Sequence, residues 1–224
     1  MPTSFENKGS TVVVAGSFAP SMFHPLWFQS NDLLGKQETK AAAEKQTLLV
    51  SDELTVFSVA GMDFHVRADR IQVGTAQENL FGPVRDLVIG TMQLLEASTV
   101  RAVGINWTAH FKLPSRDAWH AAGHKMIPYE FWARTWTKHV GMRNVTVELE
   151  RKDGRGGYVQ VTVQPSNVVE SGVYVSVNDH YDMAKEGEPS TGAQSASLLQ
   201  DQWDGSQKIA MELLEQIQKE CVSG

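Results

Sequence analysis

The densest group of ionisable side chains lies at the end of a predicted strand, in the run Asn178-Asp179-His180-Tyr181-Asp182. Binding groups are common where strands end, because the loops beyond them are free to vary. In this run Asp179 is placed to orient His180 as a general base. The structural alternative is that Asn178 and Asp179 satisfy free backbone groups at a turn. We take Asn178, Asp179 and His180 as candidate ligand-binding residues and assign no catalytic residue.

His120 and His124 form a second group with Asp117. On one unbroken helix, spacings of three and four put all three side chains on the same face, as a metal site requires. Gly123 is expected to interrupt that helix, and the sole cysteine lies far away at position 221. The alternative is a capping carboxylate with two surface histidines. We therefore predict no metal and no other cofactor.

Aromatic side chains are spread along the chain, and such residues fill cores, anchor partner proteins or line ligand pockets. Trp107 lies in the run GINWTAHF, so Asn106 and His110 join the candidate ligand contacts. The remaining candidates are assigned to a protein interface, and they are Trp27, Trp132 and Trp136.

Common catalytic motifs are missing from the sequence. It contains no GxxxxGK[ST] phosphate loop, no GxGxxG, no HExxH and no paired CxxC. Ala15-Gly16-Ser17-Phe18-Ala19 lacks the flanking glycines of a nucleophile elbow. Cys221 is expected to be a half-buried small hydrophobe at the end of a helix. The sequence therefore contains no common catalytic motif that identifies a specific reaction.

Composition narrows the class of protein. The chain has 224 residues, 42% of them hydrophobic, and a formal net charge of −6. Such a chain can bury a core, and its charge is unfavourable for gripping nucleic acid. No apolar run approaches the roughly 20 residues that span a bilayer, and the N-terminus does not look like a signal peptide. We expect a cytoplasmic protein without nucleic-acid or membrane partners.

The first half of the chain predicts a strand, a helix, three strands and a helix. Residues 36–46 are charged and rich in alanine, and without an apolar stripe we expect them at the surface. The predicted strands cover 11–18, 48–50, 54–66 and 71–73, and the helices cover 25–34 and 79–96.

The second half predicts the same order. Ser115 is a plausible N-cap of a helical region that Gly123 interrupts and that resumes after Pro128. Residues 183–197 are expected to form a mobile loop. The predicted strands cover 100–111, 145–149, 159–163 and 173–177, and the last helix covers 197–221.

This repeated order predicts an α+β fold with helices packed on one face of an antiparallel sheet. We interpret the order as a tandem duplication of a β-α-β-β-β-α unit, with halves 1–97 and 98–224 fused in one compact domain. The alternative is a single irregular domain in which the repeat is coincidental. Clean alternation in the last three strands indicates a sheet that is covered on one face only.

Four segments of the chain resemble a sporadically distributed family of bacterial proteins of unknown function. They are FHPLWFQSNDLL at 23–34, FGPVRDLVIGTMQLL at 81–95, VRAVGINWTAHFKL at 100–113 and GVYVSVNDHYD at 172–182. The resemblance covers nearly the whole chain. It implies a bacterial, cytoplasmic protein and an accessory role, and it brings no assigned activity.

Three functions are compatible with these features. The leading hypothesis is a non-enzymatic binding or assembly protein, which contacts a second copy or a protein partner through its open sheet or edge strands. The second is a small-molecule-binding domain with a pocket between sheet and helices, lined by Asn106, His110, Asn178 and His180. The third is a metal-dependent or His/Asp enzyme.

Overall fold

A computed structural model describes residues 4–44, 47–134, 140–184 and 188–222 of the chain. Within these ranges it contains six helices: α1 (Pro25–Ser30), α2 (Lys36–Ala43), α3 (Phe81–Leu94), α4 (Arg116–Met126), α5 (Tyr129–Ala133) and α6 (Gly192–Val222). The strands are β1 (Asn7–Gly16), β2 (Leu49–Val50), β3 (Leu54–Val59), β4 (Met62–Arg67), β5 (Arg70–Thr75), β6 (Thr99–Lys112), β7 (Val145–Glu150), β8 (Gly157–Pro165), β9 (Gly172–Asp182) and β10 (Ser190–Thr191).

Every strand pairing in the sheet is antiparallel. Nine strands follow the order β2-β3-β4-β5-β1-β6-β9-β8-β7, and β10 pairs with β6. In the middle, β1 and β6 pair with Val12 opposite Ile105, so the two halves of the chain share one sheet. The predicted α+β class with an antiparallel sheet is therefore confirmed.

The strand order is the same in both halves when it is read outward from the centre. In the first half β1 is followed by β5, β4 and β3, and in the second half β6 is followed by β9, β8 and β7. This matching order is what a duplicated unit would produce. The origin of the chain by duplication stays a prediction.

The helices cover one face of the sheet, because apolar residues alternate with polar ones along the central strands. Val12, Phe64, Val73 and Ile105 point into the core and are at most 2% exposed. Helices α3 and α6 pack on each other and on the central strands. Alternation of this kind leaves the opposite face of the sheet open, as the sequence predicts.

Helix α2 refines the expectation that residues 36–46 lie at the surface: six of its eight residues are exposed, and positions 45 and 46 lie outside the described residues. Thr39 and Ala42 are buried, and α2 packs on β3. Beside it, Phe28 of α1 lies edge-on to Phe57 and Phe64 of the sheet.

Other boundaries also differ from expectation. The predicted strand 54–66 is a hairpin, because Ala60 and Gly61 take positive φ angles and turn the chain between β3 and β4. Gly123 does not interrupt α4, which continues to Met126. Helix α6 begins at Gly192, so part of the expected loop 183–197 is helical.

No helix among the described residues combines the length and apolar character needed to cross a membrane.

Candidate functional site

Two asparagines lie at the centre of the open sheet face. Asn106 of β6 is directly opposite Asn178 of β9, and it donates a hydrogen bond to the carbonyl of Thr11 at 3.2 Å. Gly104 lies beside them, where a Cβ atom would come within 3.2 Å of Asn178 Oδ1. That oxygen is shielded from solvent and has no hydrogen-bond partner among the described residues. The two amide side chains therefore lie next to each other on the open face of the sheet.

His110 lies towards one end of the same face. It is opposite Tyr174, with ring centroids 4.8 Å apart, and its Nδ1 is 2.9 Å from the hydroxyl of Ser166. Partial burial lowers the pKa of His110. The neutral ring is thus favoured, held between an aromatic neighbour and a hydroxyl.

His180 lies towards the opposite end. Its ring stacks on Tyr158 at 4.6 Å, and its Nε2 is 3.2 Å from Asp182 Oδ1. His110 is paired with Tyr174, which precedes His180 by six residues on β9, so about 20 Å separates the two histidines. The four candidate residues therefore lie along the open face and not between the sheet and the helices, and their role in binding a ligand stays a prediction.

Asp179 points to the other side of the sheet, among apolar residues. It is opposite Ile105 on β6 and Val159 on β8, and it is fully buried. The expectation that Asp179 orients His180 is wrong, because successive residues of a strand face opposite ways. This period of two was visible in the sequence and would have separated Asp179 from Asn178 and His180.

A buried ionic cluster surrounds Asp179. Its carboxylate pairs with the guanidinium of Arg151, whose side chain is 3% exposed, and accepts a hydrogen bond from the Tyr181 hydroxyl at 2.8 Å. Arg151 also pairs with Asp153 at 2.6 Å and lies over the Tyr181 ring at 3.8 Å. The cluster ties the turn after β7 to strand β9.

Protonation in this cluster follows from its contacts. The hydrogen bond from Arg151 lowers the pKa of Asp153. Burial and the adjacent Asp179 carboxylate raise the pKa of Tyr181, which keeps its hydroxyl as a donor. Nothing in the sequence spacing signals the partnership of Arg151 and Asp179, which are 28 residues apart.

His120 and His124 lie on one continuous helix, α4, where the Ser115 hydroxyl caps the backbone N–H of Ala118. His124 stacks on Tyr129 at 5.1 Å. Among the described residues, no group of three or more His, Cys, Asp or Glu side chains is arranged to hold a metal ion. The two histidines instead line a cavity beside α4.

The tryptophans divide between core and surface. Trp107 is fully buried and donates its indole N–H to Ser206 of α6 at 3.0 Å. Trp27 is partly buried and packs against Phe28 of the aromatic cluster, with centroids 5.0 Å apart. Trp132 is 49% exposed, and Trp136 lies outside the described residues.

Strand β7 forms one end of the sheet and presents apolar side chains to solvent. It pairs with β8, which places Val147 opposite Val161 and Leu149 opposite Val159 on the helix-covered side. The two β8 valines are each 6% exposed, whereas Val147 is 47% and Leu149 is 37% exposed. The helix layer therefore leaves the apolar row of this edge strand partly uncovered.

The other end of the sheet is protected differently. There β3 is paired with the two-residue strand β2, and α2 packs over β3. Short edge strands and covering helices are ordinary ways to prevent association through a sheet edge. The contrast singles out β7 as the candidate contact surface.

Neither a protein-family model nor a curated protein matches the sequence.

Proposed function

We propose that this chain is a non-enzymatic binding protein that accepts an extended segment of a partner protein along β7. The observation that supports this is the uncovered apolar row of β7, where Val147 and Leu149 are partly exposed, whereas the other edge of the sheet is the two-residue strand β2, which exposes Leu49. An edge strand offers unpaired backbone N–H and C=O groups, and an added strand satisfies them. The partner would add one more antiparallel or parallel strand to the sheet.

The side chains of β7 define the partner. Val145, Val147 and Leu149 lie on one side of the strand, and Glu148 and Glu150 lie on the other. Directly opposed charges of opposite sign stabilise neighbouring strands, and like charges destabilise them. A segment in which apolar residues alternate with lysine or arginine therefore matches both sides of β7.

Charge argues against a second copy as the partner. If two β7 strands paired antiparallel around Val147, Val147 would oppose its own copy and Val145 would oppose Leu149. The same register would place Glu148 opposite Thr146 and diagonal to Glu148 of the other copy. Two like charges at this diagonal distance, with no positive charge of β7 between them, disfavour the pairing. The net charge of −6 likewise favours a basic protein segment over a nucleic acid.

Location is part of the same proposal. The lone thiol of Cys221 is compatible with a reducing compartment, and we place the protein in the cytoplasm.

The test uses a short peptide that alternates valine and lysine, with a valine–glutamate peptide of equal length as its counterpart. Fluorescence anisotropy of the labelled peptides measures affinity, and amide hydrogen exchange of the full chain locates the contact. We expect the valine–lysine peptide to bind about tenfold more tightly and to protect the β7 amides.

Two variants test whether the peptide binds at β7 or at the opposite edge of the sheet. Val147→Lys puts a charge into the apolar row and should abolish binding. Leu49→Lys is the matched control, because Leu49 is 49% exposed on the opposite edge strand. Equal binding of both peptides, or equal loss in both variants, contradicts the proposal. Sedimentation equilibrium tests whether β7 instead binds a second copy of the chain. A dimer that dissociates in Val147→Lys would show that β7 serves self-association and not the binding of a partner segment.

A further inference from the structure

A cavity of about 590 Å³ lies between α4 and the sheet, on the helix-covered face of the second half. Its floor includes Val163 of β8 and Val173 of β9, and its helical wall includes Trp119 and Met126. Pockets that bind small molecules fall in this range of volumes and are mostly apolar. The cavity is therefore large enough for a small ligand and has an apolar interior.

The helical wall of the cavity is held by specific contacts. Trp119 donates its indole N–H to the backbone carbonyl of Gly172 at 2.9 Å, which ties α4 to the start of β9. His124 stacks on Tyr129, with an angle of 16° between the rings. These contacts organise the wall without any ligand, and preorganisation lowers the cost of binding.

Among the described residues that line the cavity, Arg116 is the one charged side chain. It lies with the exposed His120 and His124 along α4 at the lip, and the same lining residues include no aspartate or glutamate. This is unexpected in a chain with a net charge of −6. A guanidinium binds a carboxylate through two parallel hydrogen bonds, and a histidine can donate another.

We propose that this cavity binds a small amphipathic anion, an apolar chain or ring that carries a carboxylate. The apolar part lies against Val163, Val173 and Met126. The carboxylate lies at the lip, where Arg116 and His120 donate hydrogen bonds to it. The site is separate from the β7 backbone contacts of the proposed partner segment, so either proposal can fail alone.

Isothermal titration calorimetry with decanoate tests the proposal on the full chain. Decan-1-ol has the same chain without the charge, and decyltrimethylammonium has the opposite charge. We expect decanoate to bind with one-to-one stoichiometry, at least about tenfold more tightly than the alcohol, because charge-assisted hydrogen bonds are lost with the alcohol. The cation should bind most weakly.

The first variant, Gly123→Leu, fills the cavity from α4. Among the described residues, a Cβ at position 123 would meet Met142 Cβ alone, at the ordinary distance of 3.6 Å, and leucine is a better helix former than glycine. We expect a folded protein that no longer binds decanoate. Gly205→Leu is its control, since Gly205 also lies within a helix and no described atom lies within 4 Å of a Cβ added there.

The second variant, Arg116→Gln, removes the lip charge from an exposed side chain and keeps the proposal testable if Gly123→Leu fails to fold. It should weaken decanoate binding about tenfold without changing the affinity for decan-1-ol. Arg67→Gln, an exposed arginine of β4, is its control. Equal affinity for acid and alcohol, or unchanged binding of decanoate in Gly123→Leu or Arg116→Gln, overturns the proposal.

Discussion

Replacing Asp179 by asparagine tests how strongly the buried ionic cluster stabilises the fold. Asp179 accepts hydrogen bonds from the Arg151 guanidinium and from the Tyr181 hydroxyl, all shielded from water. Asparagine keeps the shape and one acceptor oxygen for Arg151, but its amide N–H₂ replaces the oxygen that accepts from Tyr181, so that hydroxyl must turn and accept instead. Loss of the carboxylate charge weakens each of the two interactions by roughly 1 kcal/mol. Arg151 retains Asp153 at 2.6 Å. We expect Asp179→Asn to lower the free energy of unfolding by about 2 kcal/mol.

In a chain that lacks the Arg151 guanidinium, Asp179→Asn should no longer be destabilising. Arg151→Met leaves the Asp179 carboxylate buried with one hydroxyl partner, and breaking a buried ion pair in this way costs about 3–5 kcal/mol. In that background Asp179→Asn removes the unpaired charge. It should therefore leave stability unchanged or raise it, although it destabilises the parent chain.

Urea unfolding of the four chains, followed by tryptophan fluorescence at pH 7, measures the cycle. Glu148→Gln is the control, because Glu148 is an exposed carboxylate on β7, and its change should stay within about 0.5 kcal/mol. If Asp179→Asn costs the same in both backgrounds, the carboxylate and the guanidinium do not stabilise each other, and the reasoning is refuted.

Three further substitutions or titrations test the packing. Ser206→Ala should lower the free energy of unfolding by about 1–3 kcal/mol in urea, because the buried indole N–H of Trp107 loses its acceptor, and an unchanged value would contradict the hydrogen bond. Gly157→Ala should be strongly destabilising in thermal melts, because φ is +112° and an added Cβ would clash with the His180 carbonyl oxygen. Gly154→Ala should cost less, because no described atom lies within 4 Å of a Cβ added there. Burial raises the pKa of Cys221 to about 11 from 9.0. The thiol should therefore resist a disulfide reagent at pH 8 until urea unfolds the chain. The contribution of the buried thiol to stability should be lost as the pH rises from 9 towards 11. Fast labelling of the folded chain, or a stability difference between the parent chain and Cys221→Ala that does not change over that pH range, would contradict the burial.

Local patterns in the sequence predict the second half of the sheet well. Val145, Val147 and Leu149 alternate with polar residues, and β7 spans Val145–Glu150 as this period of two requires. Ser115 caps α4 as its residue type predicts. These features depend on neighbours within a few residues, so one sequence contains the information for them.

Features that depend on distant residues were not predictable in the same way. The apparent polar gap at Ser206 in the stripe of α6 is explained by Trp107, 99 residues earlier, whose indole N–H it accepts. Thr39 and Ala42 look like surface residues until α2 is known to pack on β3. Tertiary packing overrides local polarity at these positions.

The candidate site shows both situations. Asn106 and Asn178 are brought together by the register of β6 and β9, which no local pattern specifies. The separation of Asp179 from His180, in contrast, follows from strand periodicity alone. The pairing of Arg151 with Asp179 needs the hairpin between β7 and β8 to fold back on β9, so it becomes visible in the folded chain.

The difference between the two halves is the strongest guide to function. Both halves arrange their strands in the same order, so the same packing could have protected both ends of the sheet. In the first half the edge is the two-residue strand β2, which exposes Leu49, and α2 packs over β3; in the second half the edge is the six-residue strand β7, in which Val147 and Leu149 are both partly exposed. An exposed apolar edge strand promotes association with other chains. Such an edge is therefore more often found where the protein binds a partner through it. The proposed binding of an extended partner segment along β7 would account for this difference between the two ends.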